Sequence, residues 1–173
     1  MEEIETLIDY VTGREVPNVG PEENRQAFEL FLVEKKGYDP GDIRVDEPIC
    51  VTFKGEEYHS TIDLVVYCND RPIMAVKCIA GSLGSYEREI LAGARLVYDV
   101  QIPFSVATNG IDALVRDALT GGERGQGLDA VPSKEEALGM SLKYLAFPPE
   151  KKEREMIIFR SYNIHKNHDD CKG

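Results

Sequence analysis

The chain has 173 residues, is 42% hydrophobic and 29% charged, and carries a formal net charge of −11. That size and balance fit one soluble domain with a substantial core. No apolar run approaches bilayer-spanning length, and the acidic start MEEIETLIDY is no secretory signal, so a cytoplasmic protein without membrane contact is expected.

The acidic excess is uneven. Residues 1–57 hold 15 acids against 6 bases, so most of the negative charge precedes the chain's centre. Any duplex nucleic acid must then be held by a local basic patch against an unfavourable overall field. Cysteines stand at 50, 68, 78 and 171 with no CxxC pair and no zinc-finger spacing; two of them fall in expected strands as buried free thiols.

In chain order, Ile4, Leu7, Ile8 and Val11 recur at helical spacing, which predicts a short helix over residues 1–12. Residues 13–20 read as a linker, so 1–20 form a helix-and-linker preface. Gly20-Pro21-Glu22-Glu23 opens a strong helix that closes at Lys35-Lys36-Gly37. Its expected inward stripe is Ala27, Phe28, Phe31 and Leu32. Glu23, four residues before Ala27, extends that stripe toward the core edge. The ordinary alternative is a solvated acid favoured by the helix dipole.

A first strand is expected over Ile43–Phe53, then a hairpin loop over 54–57. Ser60–Cys68 and Ile73–Ala80 form a strand pair around the turn Asn69-Asp70-Arg71-Pro72. Ile62, Leu64 and Val66 should share one face, with Asp63 on the other. In the second strand Ala75 and Lys77 share a face, opposite Met74, Val76 and Cys78. Asp63 and Lys77 are therefore opposite charges on adjacent, otherwise apolar strands, an arrangement that is costly unless they pair or serve a site.

Ser85 is placed as the N-cap of a helix through Tyr98. A short buried strand follows at 102–110, beside and parallel to Ile73–Ala80 through a right-handed crossover. Residues 111–120 read as a helical or strand-like excursion and 121–127 as a flexible loop. Ser133 with Glu136 matches a capping box. A last charged helix spans 150–162, leaving residues 163–173 as a flexible tail. The fold class is α/β, a mixed sheet of four or five strands with flanking helices.

Other constellations are weaker. His165, His168, Asp169, Asp170 and Cys171 have metal-ligand chemistry, but terminal tails bind metals adventitiously. His59 beside Ser60 has no identifiable acid partner, which argues against a Ser-His hydrolase. Gly81–Gly84 lacks the Gly-Lys-Ser/Thr of a phosphate-binding loop.

The order of features over residues 21–162 resembles the N-terminal domain of type I restriction enzyme R subunits, a branch of the PD-(D/E)xK nuclease superfamily. The matching pieces are Pro21-Glu22-Glu23-Asn24-Arg25-Gln26 with Lys36-Gly37-Tyr38, then Ile62-Asp63-Leu64-Val65-Val66-Tyr67 and Pro72-Ile73-Met74-Ala75-Val76-Lys77. Pro103-Phe104, Ala107-Thr108-Asn109-Gly110, the stretch from Leu128 to Glu136 and the closing helix complete the series. The resemblance implies a restriction-endonuclease-like fold and Mg²⁺-dependent hydrolysis of DNA phosphodiesters. It maps the metal-binding aspartate to Asp63, the metal-binding backbone carbonyl to Val76, the catalytic lysine to Lys77 and a helix glutamate to Glu23.

One position departs from the pattern: Ala75 stands where the family places its motif glutamate. Some relatives move that carboxylate onto the following helix, which makes Glu87 or Glu89 a substitute. Two readings follow. One is a Mg²⁺-dependent endonuclease. The other is a degenerate, non-catalytic module that binds nucleic acid or protein within a restriction or defence system. Under the second, Asp63 and Lys77 form a residual ion pair. The helicase motor of the R subunit is absent from this sequence, so DNA translocation needs a separate partner; self-association stays open.

Overall fold

The computed structural model describes residues 2–163. Its main sheet has six strands: β3 (Ile43–Phe53), β4 (Glu56–Cys68), β5 (Arg71–Cys78), β6 (Phe104–Thr108), β7 (Ala113–Asp117) and β8 (Glu123–Gln126). Their spatial order is their chain order, and every neighbouring pair is antiparallel except β5–β6. The parallel pair needs a crossover, and α2 (Glu87–Leu96) supplies it. α1 (Glu22–Glu34) precedes the sheet, while α3 (Lys134–Gly139) and α4 (Pro149–Asn163) follow it. This is the expected mixed α/β architecture, with one strand more than the upper expectation. No described helix is long and apolar enough to cross a membrane.

Two apolar layers hold the sheet between the helices. Phe28 and Leu32 of α1 and Tyr38 pack on Leu64, Val66, Met74 and Val76. On the other side Val65 and Ala75 meet Ile90, Leu91 and Ala94 of α2 and Phe159 of α4. Each fully buried Phe or Leu contributes about 2–3 kcal/mol by leaving water. The α1 stripe is narrower than expected, since Ala27 is exposed while Arg25 and Glu29 are buried. Ile62 belongs with Val65 in the α2 layer rather than with Leu64 and Val66, so strict alternation breaks around Asp63.

The N-terminal segment corrects the sequence reading. Residues 1–12 were expected to be helical, but β1 (Thr6–Ile8) and β2 (Glu15–Pro17) form a separate antiparallel hairpin. Asp9 closes it: its Oδ1 accepts from the Thr12 amide at 2.8 Å and from the Thr12 hydroxyl at 2.9 Å. Gly13 supplies the left-handed residue of the turn, at φ 69°. Of the apolar residues that gave the helical period, Ile4 and Ile8 face solvent, 66% and 65% exposed, while Leu7 and Val11 are half-buried.

Two further elements differ from expectation. Ser85 lies in a short 3₁₀ turn, and α2 starts behind Tyr86 without a side-chain cap. The stretch expected as a loop at 121–127 contains the edge strand β8, whose Glu-Arg-Gly-Gln sequence lacks β-branched and aromatic residues. Pairing with β7 orders it. By contrast the capping box stands: Ser133 Oγ accepts from the Glu136 amide at 3.1 Å.

Candidate functional site

Asp63 and Lys77 stand at the same end of the adjacent strands β4 and β5. The paired register stops at Leu64↔Val76, and one step further the Asp63 side chain takes over from the backbone. Its Oδ2 accepts from the Cys78 amide at 2.8 Å, so one carboxylate oxygen replaces a ladder carbonyl. Cys78 beneath it is fully buried, and burial, followed by the Asp63 charge, pushes its thiol pKa up. It is an inert interior thiol.

Lys77 does not pair with Asp63, which corrects the expected residual ion pair. Its Nζ lies 3.8 Å from Glu89 Oε1, with the two side chains 16% and 6% exposed. Glu89 comes from the first turn of α2, where the N-terminal dipole favours a carboxylate. The α4 residue Asn163 donates to the same Oε1 at 3.2 Å and to the Phe159 carbonyl at 2.7 Å, while its own Oδ1 accepts from Ser60 at 2.8 Å. Asn163 thereby ties the glutamate to β4 and α4. It carried no motif in the sequence and is found only through the packing of α4 on α2.

A cleft of about 350 Å³ opens beside this pair, lined by Lys77, Glu89, Pro21, Tyr86 and Tyr162 among others. The Tyr86 and Tyr162 rings lie 6.2 Å apart, and Lys77 Nζ is 6.0 Å from the Tyr86 centroid. The N-terminus of α1 is fixed to the cleft floor by Asn24, whose Nδ2 donates to the Ile79 carbonyl at 2.9 Å. Gly110 permits that approach: at φ 86°, a Cβ there would sit 3.1 Å from the Asn24 carbonyl oxygen.

The remaining expected residues fall elsewhere. Glu23 is exposed on α1 and accepts from Asn18 Nδ2 at 3.0 Å, so its carboxylate turns toward the preceding loop. Glu87 is engaged by the Arg116 guanidinium of β7. Of the two candidate helix glutamates, Glu89 is thus the one brought to Lys77. Val76 lies inside the sheet, paired with Leu64 on one side and Val106 on the other, which commits its backbone to the ladder.

Ala75 is also interior. It pairs with Val65 and Ser105 and is fully buried in the α2 layer. A carboxylate there would face Ile90 and Leu91 rather than water. Extending the β4–β5 register by one step places Lys77, not residue 75, across from Asp63. The strand position that faces the aspartate therefore carries a cation.

Sequence reasoning passed over a second polar cluster under α1. Arg25 is bonded to Glu22 at 2.7 Å and Asp46 at 2.8 Å, and Gln26 Nε2 donates to Asp9 at 2.8 Å. The Gln26–Asp9 bond attaches the N-terminal hairpin to α1, and the Arg25–Asp46 pair ties α1 to β3. The signal in the sequence was the i, i+4 pair Arg25–Glu29 on an apolar helix face, where two charges cannot both be solvated.

A helix fronting a mixed sheet, with an aspartate and a lysine on two adjacent inner strands and a parallel crossover behind them, is the frame of a restriction-endonuclease-like domain. The family described as type I restriction enzyme R protein N terminus matches residues 20–132, and this chain belongs to it. No curated protein and no solved structure matches the chain.

Proposed function

We propose that this domain keeps the frame of the R-subunit nuclease domain as a binding and assembly module and does not hydrolyse DNA. The observation that supports this is the Lys77–Glu89 pair beside Asp63. Mg²⁺ requires hard oxygen ligands in near-octahedral geometry, usually two carboxylates with waters and phosphate oxygens. Here Asp63 has one oxygen committed to the Cys78 amide, and Glu89 is shared between a lysine and Asn163. Asp63 Oδ2 and Glu89 Oε1 are thus already engaged, and Lys77 already supplies a cation beside Glu89.

For the binding role, a cleft of about 530 Å³ beside α2 and α4 is lined by Arg88, Arg95, Lys151 and Arg154 among others. Glu155 in the same lining pairs with Arg88 and Arg95, which leaves the exposed Lys151 and Arg154 as the local positive charge that contact with a DNA backbone needs in a chain of net charge −11. Loss of duplex affinity in Lys151→Ala/Arg154→Ala, with a shallower salt dependence measured by fluorescence anisotropy, supports DNA as the partner. An unchanged affinity excludes this cleft.

A second reading draws on the same proximity of Lys77 to Glu89: the helix carboxylate replaces the motif glutamate and the site cleaves. Incubation of supercoiled plasmid with Mg²⁺ or Mn²⁺ separates the two. The non-catalytic reading expects no nicking above the level of Asp63→Asn. Metal-dependent nicking abolished by both Asp63→Asn and Glu89→Gln establishes the second reading instead.

A further inference from the structure

The β3–β4 hairpin carries a separate constellation on its solvent face. Cys50 and His59 are direct cross-strand partners, and Thr52↔Glu57 is the next pair on that face. Because side chains two apart on a strand point the same way, Cys50, Glu57 and His59 converge. His59 Nε2 lies 3.3 Å from Glu57 Oε2 and 4.0 Å from Cys50 Sγ, and one ligand atom from each of the three falls within 4.8 Å of the others. All three are exposed. The strand that carries Cys50 is anchored from its other face, since the flanking Ile49 and Val51 are core residues.

These distances have a chemical meaning. Donors bound at about 2.0–2.3 Å to one tetrahedral centre lie about 3.3–3.8 Å apart. The observed separations reach that geometry with a small movement of the Cys50 side chain. Thiolate, imidazole and carboxylate together select zinc-class ions rather than Mg²⁺ or Ca²⁺, which take oxygen shells. Three protein ligands on an open surface leave a fourth position for water or an external donor.

We propose that Cys50, Glu57 and His59 form a surface site for a zinc-class divalent cation. It shares no residue with the Lys77–Glu89 cleft or with Asp63 and does not depend on how that cleft is read. The probe is Co²⁺ alone, titrated into the reduced full-length chain and followed by thiolate-to-cobalt charge-transfer absorption. The expected result is saturation at one equivalent, loss of the band in Cys50→Ser, and an affinity lowered about tenfold or more in His59→Gln. Both substitutions are on the surface, and circular dichroism confirms that the variants fold. Absence of the band in the wild type overturns the site. So does a band that survives Cys50→Ser, which assigns ligation to another cysteine.

Discussion

Lys77 and Glu89 meet 3.8 Å apart between β5 and α2, and Asp63, the acid across the strand pair from Lys77, bonds to a backbone amide instead. A buried pair of this kind is expensive to break from one side, because the remaining charge keeps its desolvation cost. Lys77→Met, which leaves Glu89 uncompensated, is expected to destabilise the domain by about 3 kcal/mol. The double change Lys77→Met/Glu89→Leu is expected to recover much of that loss. Urea denaturation of the two variants measures it, and equal destabilisation in both would show that the pair contributes nothing as a unit.

Glu155 of α4 is 4% exposed and receives both Arg88 and Arg95 of α2. The contact fastens the last helix to the crossover helix and so fixes Asn163 over Glu89. Glu155→Ala leaves two guanidiniums facing each other without their anion. The expected cost is about 3–5 kcal/mol, with hydrogen exchange in α4 accelerating ahead of exchange in β4 and β5. Uniform exchange across the domain would contradict this local account.

Glu29 gives the domain a pH dependence with a definite sign. Its side chain is fully buried beside the Asp9 carboxylate. Burial, with the charge of Asp9 as the next cause, pushes its pKa up to about 8. Burial also acts to raise Asp9, but hydrogen bonds from Gln26 and Thr12 outweigh it and leave that acid lowered. Between the ordinary value of 4.5 and about 8, the folded state holds a proton on Glu29 that the unfolded chain has released. Stability therefore falls as pH rises through that window. Glu29→Gln is expected to flatten the dependence and to be the more stable protein above it, as read from urea midpoints across the range. A wild type whose stability rises through the same window would refute the assignment.

Much of the frame was legible from the sequence because long apolar periods dictate it. The strand–turn–strand around Asn69 to Pro72, the crossover helix and the parallel return at Phe104 all follow from side-chain alternation and turn chemistry. The N-terminal hairpin was not legible. Its apolar residues happen to recur at helical spacing, and the interaction that overrides them is a long-range one, Asp9 with Gln26 of α1. The β8 strand has no propensity of its own and exists through pairing with β7.

The site divides in the same way. Strand alternation located Asp63 and Lys77 as two charges on inner strands, but their partners lie far along the chain. Glu89 was one of two candidate helix acids, and only the packing of α2 against β5 distinguishes it from Glu87, which Arg116 holds away. Ala75 stands where the resemblance places the motif glutamate, and the sequence could not show what packs around it. The register shows a core position filled by the methyl that fits there. His59, for which no acid was identifiable, has Glu57 beside it.

Calorimetric titration of Mg²⁺ into the wild type and Asp63→Asn tests most directly the proposal that Asp63 and the Lys77–Glu89 cleft do not hold Mg²⁺. The asparagine keeps an oxygen for the Cys78 amide, so the fold is preserved while the charge is removed. The account predicts superimposable, non-saturating isotherms at millimolar Mg²⁺. Saturable binding of one ion in the wild type, absent in Asp63→Asn, would contradict it and restore the domain to the metal-dependent nucleases.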